Sequence, residues 1–331
     1  MSYNNIKLAI FGAGRWGMNH VKTAASLLPH ENIIVFDADP KAEAKVKTVS
    51  EKISFSSNLN FENCLYYFSA AIVSTPAETH YQLTKDLLNA GKHVLVEKPI
   101  TLYSNEAEDL LNLSLNHNLN LMVGHVLLYH PAVKKMKEFI EQGKIGKLQY
   151  IYSNRLNLGA IRSEENILWS FAPHDISVIQ YLVGDNPAGV YANGGAFVQN
   201  TIEDSTLTIL EYPNNIKAHI FVSWLHPFKE QRMVVIGDKA MLVFEDSLKT
   251  EKLKFYKKGF EVKNGSIEKF ESDYEVIDFE NKMALSEEHI HFYDSIINST
   301  KPLTDGQHAL EVLKILEKAT KGLKRNSGIM E

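Results

Sequence analysis

Gly12, Gly14 and Gly17 stand at G-x-G-x-x-G spacing, directly after the apolar run Leu8 to Phe11 and at the head of a helical pattern reaching Leu28. In that setting the first glycine allows a tight turn and the second lets the backbone approach a pyrophosphate. The third lets helix and strand pack closely, and the phosphate sits on the helix N-terminus. The motif alone also fits a βα turn that holds no ligand. Asp37, at the end of the next apolar run, sharpens it, because a carboxylate there would accept hydrogen bonds from an adenosine ribose. Asp39 follows, and two carboxylates repel a 2′-phosphate, which favours NAD over NADP. Lys41 is the nearby cation that would reverse the preference.

Ligands of open α/β sheets sit outside the carboxyl ends of the strands, so two further strand ends matter. One leads to Ser74, Thr75 and Pro76, with His80 a helical turn beyond; this turn is expected to line the cofactor. The other leads to Glu97, Lys98 and Pro99. Pro99 disfavours helical geometry at Lys98 and would aim its ammonium into the crevice, where a desolvated cation stabilises a developing alkoxide. The competing reading is a solvated lysine before a turn. In the second half, Pro173 is expected at the first position of a helix closed by Gly184. His174 would then lie in a first helical turn, where the dipole disfavours imidazolium and leaves a general base; a capping or packing histidine is the alternative. Arg155 and Asn157, two apart on a strand, and Arg162 in the loop beyond could meet an anionic substrate, with surface salt bridging the alternative. His289 and His291 are i, i+2 on a helix and point to different sides, so they form no chelating pair. No H-E-x-x-H or paired-cysteine spacing exists, so no metal is expected.

These residues need a scaffold. The first 124 residues alternate short apolar runs with helical stretches: Lys7 to Phe11, Ile33 to Phe36, Ala70 to Val73, His93 to Val96 and Leu119 to Val123. That is the signature of βαβ units and a parallel sheet. After Gly124 come one helix, Pro131 to Gln142, and then alternating or β-branched runs separated by turns such as Pro213-Asn214-Asn215 and Gly237-Asp238-Lys239. A mostly antiparallel open sheet with helices on one face is expected. The chain returns to helix at the end, from Glu287 to Asn298 and again after Asp305 as N-cap. The fold class is therefore α/β: a doubly wound parallel sheet followed by an α/β domain.

Composition narrows the partners. The net charge of −5, from 35 basic and 40 acidic residues, is no footprint for a nucleic-acid backbone. With 44% hydrophobic and 23% charged residues the chain is globular rather than disordered. The single Cys64 forms no intrachain disulfide, and no apolar run is long enough for a membrane span. The cytoplasm is the expected location.

The order Gly12 to Gly17, Ser74-Thr75-Pro76, Glu97-Lys98-Pro99 and His174 followed by Asp175 resembles the Gfo/Idh/MocA oxidoreductase family over essentially the whole chain. The resemblance implies a Rossmann domain at 1–124, a substrate-binding and oligomerisation domain at 125–331, and NAD-linked oxidation of a sugar hydroxyl. It also implies a homodimer or homotetramer built through the second sheet, with Lys98 and His174 as the catalytic pair. Polyol and free-sugar members carry Asp four residues before the histidine, where this chain has Ser170. Residues 153–159 and 166–176 look instead like the nucleotide-sugar branch, in which a UDP-linked N-acetylhexosamine or its uronic acid is oxidised at C3. There the 3-keto product commonly passes to a PLP aminotransferase. Cofactor contacts are expected from the glycines with Arg15 and Trp16, and from Asp37, Ser74, Thr75, Pro76, His80, Glu97, Lys98 and His125. Substrate contacts are expected from Lys98, Arg155, Asn157, Arg162, Ser170, His174 and Asp175. The alternatives are an inositol or free-sugar dehydrogenase and a non-catalytic NAD-binding regulator.

Overall fold

Short apolar runs punctuated by turns build the first sheet. In the computed structural model, which describes residues 3–60, 62–159 and 161–326, its strands are β1 (Leu8–Phe11), β2 (Ile33–Phe36), β3 (Ser54–Ser56), β4 (Ala70–Val73), β5 (His93–Val96) and β6 (Leu121–Val123). They pair in parallel in the order β3-β2-β1-β4-β5-β6. β1 and β4 are buried at every position and show no alternation, as strands covered on both faces require. β3 escapes sequence reading because three residues, two of them serine, carry no period. The crossovers run through α1 (Gly17–Leu27), α2 (Ala42–Lys47), α3 (His80–Asn89) and α4 (Ser104–Asn116). Gly91, at φ +73°, follows the end of α3 in the left-handed conformation expected of it. Strand order reverses between β1 and β4, which opens a crevice at their carboxyl ends.

The second sheet follows α5 (Pro131–Glu141) and comprises β7 (Leu148–Leu156), then, after α6 (Ile167–Val183), β8 (Gly189–Gly195), β9 (Ser205–Glu211), β10 (Lys217–Ser223), β11 (Glu230–Gly237), β12 (Met241–Glu245), β13 (Leu253–Lys263) and β14 (Ser266–Val276). Its order is β14-β13-β12-β11-β7-β10-β9-β8, antiparallel except for the parallel pair β7 and β10. Helices α5 and α6 cover one face; Tyr191, Leu207 and Ile209 are exposed. The Lys- and Glu-rich stretch after Glu251 folds into the long hairpin β13-β14, turning at Asn264 and Gly265, both at positive φ. The Asn-Gly pair is the strongest short-range hairpin signal and would have revealed it.

Two expectations are corrected. Helix α6 does not begin at Pro173: Asn166 caps it by accepting the Trp169 N–H at 3.2 Å, and Pro173 lies inside. His174 is thus well past the first turn, beyond the reach of the dipole. The domain boundary is also not single. One compact unit is the chain up to Tyr129 together with Lys282–Leu313, and the other is His130–Asn281 together with the chain from Lys314 on. The cause is α7 (Ala284–Ile297), which packs its buried Glu288, His289, Phe292 and Tyr293 toward α1. Beside the same sheet, Val123 N–H donates to Thr304 O at 2.8 Å. The last helix, α8 (Gly306–Asn326), starts as expected, with Asp305 Oδ1 accepting the His308 N–H at 2.9 Å.

Candidate active site

In the first unit the three glycines differ in their surroundings. Gly12 sits at φ +93°, and a Cβ there would come within 2.7 Å of the Ser74 carbonyl oxygen. A Cβ on Gly17 would overlap the Gly12 carbonyl oxygen, so only glycine lets α1 close on the turn. A Cβ on Gly14 would meet nothing within 4 Å, so no packing among the described residues requires glycine here. Asp37 Oδ2 accepts the Ala13 N–H at 2.6 Å and Oδ1 the Asp39 N–H at 2.9 Å, which holds the carboxylate beside the turn. Gly12, Gly14, Asp37, Ser74, Thr75 and Pro76 line one cavity of about 690 Å³, joined by Leu59, Thr79 and Leu83, which sequence reading missed. Open glycine backbone, a helix N-terminus without acidic residues in its first turn and a poised carboxylate fit the pyrophosphate and ribose of a dinucleotide.

Two expected cofactor contacts, His80 and His125, are buried. His80 is buried, with Nδ1 2.7 Å from Pro99 O and Nε2 2.9 Å from Thr75 O, so it ties the two strand-end turns together. Burial pushes its pKa down, and the neutral ring donates to one of those carbonyls. His125 is buried as well; burial first, then His308 and Lys98, depress its pKa strongly. Arg15 and Trp16 are exposed at the head of α1. Trp16 nevertheless donates its indole N–H to Glu97 Oε1 at 2.6 Å, and His20 Nε2 lies 2.9 Å from the same oxygen. Burial alone would raise the Glu97 carboxyl, but His20, Trp16 and the Lys98 charge bring it below its ordinary value. Lys98 is half-buried next to it, and its backbone N–H lies 3.2 Å from Glu97 Oε2.

In the second unit, α6 carries Ser170, His174 and Asp175, with Ser170 and Asp175 buried and His174 half-buried. Asp175 accepts from Ser153 Oγ at 2.6 Å, Arg155 Nε at 2.7 Å and Arg155 Nη2 at 3.1 Å. Arg155 and Asp175, both expected as substrate contacts, pair with each other and so bolt α6 to β7. Sequence spacing put Arg155 on one face of a strand but could not say that α6 covers that face. Asn157 is half-buried just after β7, its N–H on Ser223 O at 3.1 Å. Arg162 is exposed and pairs with Glu165 at 2.6 Å, the surface bridge that was the alternative for it. Because breaking a buried pair strands a charge, Arg155→Met is expected to cost about 3–5 kcal/mol of stability, read as a fall in the denaturation midpoint; a loss under about 1 kcal/mol would mean that the bolt is idle.

Among the described residues no group of three or more His, Cys, Asp or Glu is placed to hold a metal ion, and no helix is long and apolar enough to cross a membrane.

Residues 6–125 match the family model described as the oxidoreductase family with NAD-binding Rossmann fold, and residues 133–243 match the corresponding C-terminal domain. The chain is 27% identical over 203 residues to the UDP-N-acetylglucosamine 3-dehydrogenase of Acidithiobacillus ferrooxidans, covering 61% of this chain and 62% of that one. It is 24% identical over 260 residues to the inositol 2-dehydrogenase of Rhizobium meliloti, covering 73% and 76%. The solved structure of the Acidithiobacillus enzyme superposes with a TM-score of 0.80 at 22% identity over 97% of this chain and 98% of that one, a likeness of fold.

Proposed function

Since the chain belongs to the Gfo/Idh/MocA oxidoreductase family, an NAD-binding family whose similar members are dehydrogenases of CH–OH groups, we propose that it oxidises a UDP-N-acetylhexosamine, UDP-N-acetylglucosamine or its uronic acid, at the C3 hydroxyl. The observation that carries the substrate reading is the composition of α6. One turn ahead of His174 stands Ser170, not the aspartate that polyol and free-sugar members carry, and the adjacent carboxylate, Asp175, is consumed by Arg155 and Ser153. A carboxylate–imidazole relay of the polyol type therefore lacks its acid. The relative named for UDP-N-acetylglucosamine supports the same choice.

In this reading His174 takes the proton of the hydroxyl and Lys98 holds the negative charge left on oxygen. Gly12, Gly14 and Asp37 hold the pyrophosphate and adenosine ribose of NAD, which when bound supplies the hydride acceptor. The exposed row Tyr191, Leu207 and Ile209 is an apolar surface that suits a homo-oligomer.

An inositol or free-sugar dehydrogenase is the second reading, favoured by the inositol 2-dehydrogenase relative. Following NADH absorbance with UDP-N-acetylglucosamine, its uronic acid, myo-inositol and glucose separates the two. We expect kcat/KM for a UDP-sugar to exceed that for inositol by on the order of 100-fold or more, because a site built for polar groups is left unpaired by a ligand that lacks them. Equal or faster turnover of inositol overturns the nucleotide-sugar reading, and no NADH with any substrate overturns catalysis itself.

A further inference from the structure

Beneath the dinucleotide turn lies a line of buried polar side chains that the reaction does not use. Glu97 Oε1 is 2.9 Å from His20 Nε2; His20 Nδ1 is 2.8 Å from His289 Nε2; and His289 Nδ1 is 3.1 Å from the Tyr293 hydroxyl. His20, His289 and Tyr293 are all fully buried. Residues from α1, the β5 turn and α7, as many as 269 positions apart, thus meet in one chain that ends on the Glu97 carboxyl group.

The chain has a direction. An indole N–H can only donate, so Glu97 Oε1 accepts from Trp16, and Oε2 faces the Lys98 backbone N–H. Burial opposes ionisation, but the His20 and Trp16 hydrogen bonds and the Lys98 charge lower the Glu97 pKa, in keeping with a carboxylate. It must then receive the His20 Nε2–H. A neutral His20 offers Nδ1 as acceptor to His289 Nε2–H, and His289 Nδ1 accepts the Tyr293 hydroxyl proton. Burial, then the proximity of His20, holds His289 well below the usual imidazole range, in keeping with a neutral ring. The neighbouring Glu288 has both carboxyl oxygens buried without a hydrogen-bond partner, and burial with the Glu97 charge raises its pKa strongly. The two carboxyl groups therefore carry one negative charge between them, on Glu97.

We propose that His20, His289 and Tyr293 are positioning residues: a neutral, one-way hydrogen-bond chain from α7 through α1 that fixes Glu97 as the acceptor for Trp16, and so holds the glycine turn and the Lys98 turn in the geometry that receives the dinucleotide. None of the three touches the cofactor; they act through Glu97. Small-residue packing at this junction would not need two imidazoles in register with a phenol, whereas a directional chain does.

Replacing His289 by leucine removes the donor to His20, whereas His289→Gln keeps an N–H able to point the same way. NADH binding, read by quenching of tryptophan emission, is expected to weaken roughly tenfold in His289→Leu, the worth of one buried hydrogen bond, and by less than about threefold in His289→Gln. The titratable groups facing the two imidazoles are Glu97, Tyr293 and the neutral Glu288, with Tyr3 against Tyr293 and Lys98 beyond Glu97. Imidazole nitrogen NMR of the unliganded protein, with Tyr293→Phe as the mildest break, reads the chain without any ligand. Both rings are expected as neutral Nε2–H tautomers, and the His289 Nδ1 resonance should move in Tyr293→Phe. A doubly protonated His20 in the native protein, an unmoved His289 resonance, or leucine and glutamine variants of equal affinity would each overturn the proposal.

Discussion

Lys98→Ala is expected to lower turnover by on the order of 100-fold or more, the usual loss when an electrostatic donor leaves a reacting oxygen, while NADH affinity stays close to that of the wild type. On the proposed reading the two effects separate because the cavity assigned to the dinucleotide's adenosine end is lined by Gly12, Gly14, Asp37 and the Ser74 turn, not by Lys98. The lysine stands at the end of β5, beside the Glu97 carboxylate, and its charge lowers the pKa of both Glu97 and His125. Arginine is not expected to restore the rate: a planar fork does not reproduce a compact ammonium at one oxygen. Steady-state rates and a fluorescence titration of NADH read the two quantities independently, and a Lys98→Ala enzyme at wild-type rate removes this residue from the chemistry.

The second large effect contrasts two glycines of the same turn. Gly14→Ala adds a methyl group into space where the protein itself offers no atom within 4 Å, so thermal stability should hardly change. On the proposed reading that methyl group stands where the backbone approaches the pyrophosphate. Losing two charge-assisted hydrogen bonds there, at about 1.5 kcal/mol or more each, weakens NADH binding by roughly 100-fold. Gly17→Ala does the reverse in origin: its Cβ overlaps the Gly12 carbonyl oxygen and lies 2.8 Å from Ser74 Oγ. Overpacking of this kind typically costs about 1–3 kcal/mol or more, so the melting temperature falls and binding falls with it. Normal NADH binding by a well-folded Gly14→Ala protein would show that no phosphate approaches this turn.

Local pattern made much of this molecule readable in advance. The strands of the parallel sheet, the glycine turn, Asp37, the αL glycines at Gly91 and Gly184 and the Asp305 cap are all set by neighbours within a few residues, and each stands where its spacing points. What stayed illegible depends on distant partners. Pro173 reads as a helix start until Asn166 is seen to cap the helix nearly two turns earlier. Arg155 reads as an anion contact until Asp175 is found opposite it on α6. His289 and His291 take different partners, His291 Nε2 accepting the Leu303 N–H at 3.0 Å, yet no period in the sequence joins His289 to His20. The outcome at Glu97 illustrates the same limit: it belongs less to the cofactor surface than to the buried line beneath it.

The return of Lys282–Leu313 to the first unit bears on how the polypeptide is made. A nascent chain emerging from the ribosome has all six parallel strands once Val123 is out, but the cover for His20 and the partner of Val123 N–H are encoded near its far end. The unit that carries the glycine turn therefore has all of its parts only after the whole antiparallel sheet has been translated. Its maturation is tied to the end of synthesis, not to its beginning.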